Sequence, residues 1–269
     1  MTDTTERVNL LSMTPQAARA ALAAFFERAG QPRYRVDQVL RRLWLNPVAD
    51  FEAMTELPKA LRETLAGSFE LPRLDVAARQ KSADGTEKFL FRLADGEAIE
   101  TVAIPEGDRV TLCISSQAGC ALQCAFCATG AMGFSRNLTA FEIAGQVREM
   151  RLFNPPIPVT NIVFMGMGEP MMNWKAVDVA LTILNDPSGL GIGARHITIS
   201  TVGVLPGIVA LGKRPEQFRL AISIHAPNDP LRQELMPITR KYHLKDLMAA
   251  CKAWSKFDEN VKGTPCWAA

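Results

Sequence analysis

Strand-like and helix-like segments alternate from Arg109 onward, and this alternation restricts the fold of the 269-residue chain more than any other feature. Four short segments have the composition of β-strands: Arg109–Ser115, Thr160–Gly166, Arg195–Thr201 and Phe218–Ile224. Helical segments are predicted after them, over 139–152, 174–184, 205–211 and 244–257. Repeated strand–helix units predict an α/β fold with a parallel sheet, open or curled into a barrel. In such sheets, ligands bind at the carboxyl ends of the strands.

The residues before this region predict a small helical domain. Thr14 can cap a helix that begins at Pro15, and Gly30 is typical of the residue just after a helix end. Further helices are expected over 36–45 and 58–67. The strand-like segments 88–93 and 98–104 then flank a hairpin turn at Ala94–Glu97. We therefore expect a helical domain over 1–95 and a main domain over 96–269.

Composition restricts the class of protein only loosely. The chain is 48% hydrophobic and 22% charged, which is typical of a globular protein that is not attached to a membrane. The polar, acidic beginning does not resemble a signal peptide, so a cytoplasmic location is expected. A net charge of +2 does not by itself predict a nucleic-acid partner. Basic residues gather locally, and charge alone favours a solvated helix face as their explanation: Arg33, Arg35, Arg41, Arg42, Lys59 and Arg62.

Three cysteines follow the first predicted strand at short spacing. Cys120, Cys124 and Cys127 form C-x3-C-x2-C, and thiolates at this spacing can bind one metal centre. A cubane cluster with three protein thiolates leaves one iron open, which is the arrangement in radical S-adenosylmethionine (SAM) enzymes. Two other interpretations are a zinc loop completed by Cys113 or a histidine, and a set of buried cysteines without a metal.

Polar groups also follow the later strands. The sequence MGMGEP at 165–170 comes after the second strand, and its glycines would let the backbone approach a ligand. The Glu169 carboxylate could accept charge-assisted hydrogen bonds from an ammonium group, although such a loop is often only a turn. Ser200 ends the third strand, and Ser223 to His225 end the fourth. These strand ends are predicted to surround one ligand.

Three long segments resemble the RlmN/Cfr family of radical SAM RNA methylases. They begin LCISSQAGCALQCAFCATG, TNIVFMGMGEPMMN and AISIHAPNDPLRQELMPI, and the similarity extends from about residue 7 to about residue 257. MGMGEPMMN and SIHAPND favour the branch that methylates C2 of adenosine over other radical SAM enzymes, and this branch is also preferred to the one that methylates C8. The resemblance implies a partial β/α barrel preceded by a small helical domain that helps to bind RNA.

The resemblance also implies cofactors, partners and site residues. The cofactors are a [4Fe-4S] cluster on Cys120, Cys124 and Cys127, and SAM. The substrates implied are 23S rRNA and tRNA, the electron donor is a protein such as flavodoxin, and the enzyme is expected to be a monomer. The SAM-binding residues implied are Gly168, Glu169, Ser200, Ser223, Ile224 and His225.

Two further residues receive catalytic roles from the resemblance. Glu100 matches the proton acceptor of the family, and Cys113 matches the thiol that forms a transient disulfide during turnover. The disulfide partner is a carrier cysteine, which accepts a methyl group from one SAM molecule before a radical derived from a second activates it. Covalent capture divides a difficult transfer to C2 into feasible steps.

The sequence departs from the family in one respect. The carrier cysteine belongs to an ACGQL-type motif that does not occur here, and the neighbours of Cys266 do not match it. Cys251 is expected to pack in the core. We therefore expect a barrel without its last strands, an open edge on the fourth strand and impaired methylation. A non-catalytic RNA-binding remnant and a zinc-stabilised structural protein are the alternatives.

Overall fold

The computed structural model describes residues 7–257 and 267–268. Contacts within the chain define two compact units. Unit 1 combines the residues up to Leu74 with Thr139–Pro158 and Val179–Gly191, and unit 2 contains Asp75–Leu138, Val159–Asp178 and the residues from Ile192 onward. Both units are discontinuous in sequence, and the division at residue 95 stays a prediction. None of the described helices is long and apolar enough to cross a membrane.

The described residues form the following regular elements. The α-helices are α1 (Pro15–Arg28), α2 (Tyr34–Leu43), α3 (Lys59–Ser68), α4 (Ala128–Met132), α5 (Ala140–Leu152), α6 (Trp174–Asn185), α7 (Leu205–Gly212), α8 (Asp229–Leu235) and α9 (Leu244–Phe257). The strands are β1 (Val8–Asn9), β2 (Phe69–Glu70), β3 (Asp75–Lys81), β4 (Glu87–Arg92), β5 (Ala98–Glu106), β6 (Arg109–Cys113), β7 (Gln117–Gly119), β8 (Phe134–Asn137), β9 (Asn161–Phe164), β10 (Ile197–Thr201), β11 (Arg219–Ile222) and β12 (Trp267–Ala268).

The helices of unit 1 begin and end near the predicted residues. The Thr14 hydroxyl accepts a hydrogen bond from the amide of Ala17, and Pro15 is the first residue of α1. Gly30 lies just beyond the helix with φ of +63°, a conformation that glycine adopts without strain. Local capping chemistry is therefore sufficient to fix both ends of α1.

Two arginines of α5, the buried Arg148 and the half-buried Arg151, bond to the chain that leaves α2. Arg148 is 0% exposed, and its guanidinium donates to the carbonyls of Leu43 at 2.8 Å and Val48 at 2.6 Å. Arg151 donates to the carbonyl of Trp44 at 2.9 Å. The last carbonyls of a helix have no partner within the helix, so these bonds satisfy groups that burial would otherwise leave unpaired. Burial lowers the pKa of Arg148 to about 10, so its side chain stays charged at neutral pH.

We expect the substitution Arg148→Lys to destabilise the fold by about 1–3 kcal/mol. A lysine ammonium cannot reproduce the planar fork that reaches both carbonyls, and one buried oxygen would lose its partner. Urea unfolding measures the effect, and Arg41→Lys on the exposed surface of α2 is the control. Equal midpoints for the two variants would contradict this role of Arg148.

The sheet of unit 2 has eight strands in the order β12-β11-β10-β9-β6-β5-β4-β3. Strands β6, β9, β10 and β11 are parallel neighbours, which confirms the predicted α/β fold. Strands β4 and β5 form the predicted hairpin, with Arg92 opposite Ala98 and with Gly96 at φ of +90° in the turn. Strands β3 to β6 pair in antiparallel fashion, so the sheet is mixed rather than purely parallel.

The predicted open edge on the fourth parallel strand is wrong. Strand β12 pairs in parallel with β11, with Ala221 opposite Trp267 and Ile222 opposite Ala268. An unpaired strand edge presents a row of amide and carbonyl groups, and any nearby extended segment can satisfy them through its backbone. Trp267 and Ala268 pair with this edge here, although their sequence has no alternation of apolar and polar residues that would predict a strand.

Candidate metal and cofactor site

Three thiols lie together in the loop after β7. Cys120 and Cys124 are 8% and 9% exposed, and they pack with Met236 in one buried cluster against which Cys127 also packs. The amide of Cys120 donates to the carbonyl of Gly133 at 2.7 Å, and the amide of Cys127 donates to the carbonyl of Cys124 at 3.1 Å. The backbone therefore folds the C-x3-C-x2-C segment so that its three side chains share one environment.

The electrostatics of this loop favour a bound cation. Burial, together with the negative charges of Cys120, Cys127 and Glu169, raises the pKa of Cys124 to about 11. Iron ions would reverse this effect, because a coordinated thiol loses its proton. Within the described ranges, no three His, Cys, Asp or Glu side chains have the arrangement that a single metal ion needs.

The loop after β9 approaches the preceding strand ends too closely for any residue except glycine. Gly168 has φ of +96°, and a Cβ atom there would lie 2.4 Å from the Cβ of Gln117. A Cβ at Gly166 would lie 2.7 Å from the Ser115 hydroxyl oxygen. The Gln117 side chain also accepts a hydrogen bond from the amide of Glu169 at 2.8 Å. Contact with Ser115 and Gln117 therefore fixes the position of Glu169.

The Glu169 carboxylate is buried and lies near the three thiols. It is 3% exposed and accepts hydrogen bonds from the amides of Met171 at 3.0 Å and Val202 at 2.9 Å. Burial raises the pKa of Glu169 to about 7, although hydrogen bonds from Val202, Thr201 and Met171 oppose the shift. A ligand ammonium would supply the positive charge that the buried carboxylate lacks.

This raised pKa predicts the pH dependence of stability in the cofactor-free protein. The folded pKa of Glu169 exceeds its ordinary value of 4.5, so between 4.5 and about 7 the folded protein holds a proton that the unfolded chain has lost. The stability from this group is therefore complete below 4.5 and is lost as pH rises through 7, by an amount on the order of a few kcal/mol. Urea midpoints at about pH 5 and about pH 8 measure this loss, and Glu169→Gln should reduce it. Equal losses in the two proteins would contradict the assignment.

The ends of β10 and β11 lie beside this carboxylate. Ser200 is half-buried opposite Ala221, and the amide of Ser223 donates to the carbonyl of Thr201 at 2.9 Å. His225 is exposed with φ of +57°, and its ring lies 4.4 Å from that of Phe126 in the cysteine loop. The end of β11 therefore contacts the segment that carries the thiols.

The two remaining predicted residues lie on one face of the β5–β6 pair. Val102 is opposite Cys113, and the Ser115 hydroxyl donates to the carbonyl of Glu100 at 2.6 Å, so Glu100 and Cys113 are near neighbours. The half-exposed Glu100 carboxylate pairs with the ammonium of Lys88 at 2.8 Å. Cys113 is a free thiol, and burial raises its pKa.

Sequence reasoning missed three polar residues of the site. Gln117 and Asn173 are buried, and Asn173 donates to the carbonyls of Ser116 and Leu138, both at 2.8 Å. Arg232 is 0% exposed within α8. No local sequence pattern distinguishes them, and Arg232 in particular lies in the largely polar segment DPLRQEL. Cys251 is buried in α9 as expected, whereas Cys266 lies outside the described residues.

The residues of this site fit an iron–sulfur cluster with bound SAM. Soft thiolates are suitable ligands for iron–sulfur clusters, and three of them share one buried environment. Gly166 and Gly168 would let the backbone approach SAM, and the buried Glu169 carboxylate is suited to bind its ammonium group. The parallel strands and this site together define the fold and chemistry of a radical SAM enzyme.

Comparisons with known proteins identify the family. The radical SAM superfamily profile matches residues 114–264, and the profile of the ribosomal RNA large subunit methyltransferase N-terminal domain matches residues 8–71. The chain is 67% identical over 253 residues to a probable dual-specificity RNA methyltransferase RlmN of Gemmatimonas aurantiaca, covering 94% of this chain and 69% of that protein. It is 44% identical over 270 residues to the RlmN of Marinobacter nauticus, covering 98% and 72%.

A solved structure agrees with these matches. The crystal structure of a radical SAM methyltransferase from Sphaerobacter thermophilus superimposes with a TM-score of 0.85 at 43% identity, covering 93% of this chain and 73% of that one. The chain therefore belongs to the RlmN family of radical SAM RNA methyltransferases. The enzymes of this family use a [4Fe-4S] cluster and SAM. The chain spans about 70% of the length of these relatives.

Proposed function

We propose that this protein methylates C2 of adenosine in 23S rRNA and in tRNA. The observation that carries the proposal is the proximity of the three thiols to the buried Glu169 carboxylate at the strand ends. Similarity to proteins named dual-specificity RNA methyltransferases supports the choice of substrate. We further propose that the protein acts in the cytoplasm as a monomer and receives electrons from a protein such as flavodoxin.

In this proposal, Cys120, Cys124 and Cys127 hold the cluster, which when bound supplies the electron that cleaves SAM. The Glu169 carboxylate would accept hydrogen bonds from the SAM ammonium, and Gly168 would let the backbone approach the same group. Ser200 and the segment 223–225 bind the rest of the cofactor. Close contact between Gly168 and Gln117 restricts the position of this loop.

Glu100 and Cys113 would act on the substrate adenine. Glu100, whose carboxylate pairs with the Lys88 ammonium at 2.8 Å, would accept the proton that leaves the ring. By resemblance to the family, Cys113 would release the product by bonding to the sulfur of a carrier cysteine. The bond between that sulfur and the methyl carbon would break in the same step, and its electron pair would stay with the product. Because burial raises the pKa of Cys113, its thiol must lose a proton before it can attack.

The experiment that tests this function measures SAM cleavage and methyl transfer separately, because different residues are proposed for the two steps. The anaerobically reconstituted protein is incubated with SAM, a reductant and unmodified 23S rRNA or tRNA. Mass spectrometry then measures 5′-deoxyadenosine and the methylated nucleosides.

We expect 2-methyladenosine together with 5′-deoxyadenosine. Formation of 8-methyladenosine would contradict the proposed position of methylation. Formation of 5′-deoxyadenosine without any methylated nucleoside would contradict the proposed transfer of a methyl group to RNA.

A further inference from the structure

Arg232 is a buried cation that none of the steps above uses. It lies in α8 with 0% exposure, and its guanidinium donates to the carbonyls of Ile224 at 3.1 Å, Ser223 at 3.2 Å and Val202. It also donates to the hydroxyl of Thr239 at 2.9 Å. One side chain therefore bonds to the backbone after β10 and to the backbone after β11.

These bonds join the parts of the site that sequence analysis found separately. The amide of Val202 donates to the Glu169 carboxylate, so the same residue contacts both Glu169 and Arg232. Ser223 and Ile224 belong to the segment proposed to bind SAM. Ser223 and Ile224 follow the end of strand β11 at Ile222, so the sheet does not orient their backbone carbonyls. Arg232 orients them instead.

The helix that carries Arg232 also holds the cysteine loop. The amide of Ala125, which lies between two of the thiols, donates to the carbonyl of Leu235 at the end of α8. Burial lowers the pKa of Arg232, and the negative charges of Asp229 and Cys124 oppose that shift, so the guanidinium lies within electrostatic range of the thiol. Strand ends and cysteine loop are thus fixed relative to a single short helix.

We propose that Arg232 is a positioning residue for SAM, which holds the backbone of Val202, Ser223 and Ile224 where the cofactor binds. The proposal rests on the proposed function, because it takes SAM to be the ligand of this segment. Arginine is suited to this position, since its planar fork donates several bonds at fixed angles from one buried group. A lysine ammonium has one nitrogen and cannot reach all of these carbonyls.

The test compares Arg232→Lys with Arg148→Lys, which changes an equally buried arginine that bonds to backbone carbonyls of unit 1. Both cluster-loaded proteins are titrated with radiolabelled SAM by equilibrium dialysis, and iron content is measured in parallel. We expect Arg232→Lys to weaken SAM binding by about 10- to 100-fold with unchanged iron content. Arg148→Lys should change the Kd for SAM by no more than about twofold, because this substitution is expected to lower the stability of the fold without changing the SAM site.

A folded, iron-loaded Arg232→Lys protein with the Kd of the wild type would overturn the proposal. If that variant does not fold, Thr239→Val decides, because it removes one bond of Arg232 and leaves the guanidinium in place. Weaker SAM binding by Thr239→Val supports a positioning role, and an unchanged Kd contradicts it. The wild type is measured alongside, so failure of wild-type protein to bind SAM would count against the proposed function instead.

Discussion

Cys124→Ala is expected to prevent assembly of the [4Fe-4S] cluster and to reduce SAM cleavage by more than about 10³-fold. Cys124 is the middle thiol of the loop and packs beside Cys120, with Cys127 against the same cluster. Two thiolates cannot hold a cubane that needs three protein ligands, and the iron that binds SAM would be lost with it. Iron and sulfide analysis, visible absorbance and the yield of 5′-deoxyadenosine measure the effect.

The control for this experiment is Cys251→Ala. Cys251 has the same exposed fraction as Cys124, 9%, but it lies in α9 outside the cluster of the three thiols. Each variant therefore removes one buried sulfur atom, but only Cys124→Ala removes a proposed iron ligand. We expect Cys251→Ala to keep its iron and its SAM cleavage. Full iron content in Cys124→Ala would show that this thiol is not a ligand.

Gly168→Ala is expected to weaken SAM binding by about 10³-fold, which corresponds to about 4 kcal/mol. The added Cβ would lie 2.4 Å from the Cβ of Gln117 and 2.8 Å from its amide nitrogen, so the loop has to move. A residue with a side chain is also strained at φ of +96°, by about 1–3 kcal/mol. The displaced loop carries Glu169 away from the strand ends, and the titration with radiolabelled SAM detects the change.

Gly96→Ala separates the two contributions to this effect. Gly96 has φ of +90° in the β4–β5 turn, close to that of Gly168, but no atom lies within 4 Å of the position that its Cβ would occupy. The control therefore carries the backbone strain without the collision. We expect it to lose some stability and to bind SAM like the wild type. Equal SAM affinity in Gly168→Ala and the wild type would contradict the proposed role of the loop.

The fold could be predicted where local chemistry decides it. Thr139 caps α5 and forms the reciprocal capping box with Glu142 that their sequence spacing indicates. The turn at Gly96 and the helix start at Pro15 follow from backbone preferences that depend on few neighbours. The order of thiols, glycines and polar strand ends was also visible, because parallel strands bring their carboxyl ends to one edge.

Elements that depend on distant parts of the chain could not be predicted in this way. Strand β3 reads DVAARQK, which is mostly exposed and has no alternating apolar pattern, and it becomes a strand by pairing with β4. Strand β12 forms by pairing with β11. Arg232 is the corresponding case within the site, because its partners lie 7 to 30 residues away along the chain. A sequence pattern does not reveal which carbonyls a buried arginine will meet.

The central claim is that three thiolates bind an iron–sulfur cube and leave its fourth iron open to SAM. Mössbauer spectroscopy of the ⁵⁷Fe-reconstituted protein, with and without SAM, tests it most directly. We expect the spectrum of a [4Fe-4S] cluster in which one iron site changes when SAM is added and the other three do not. Protein that takes up zinc in place of iron, or a cluster spectrum that is unaffected by SAM, would contradict the account.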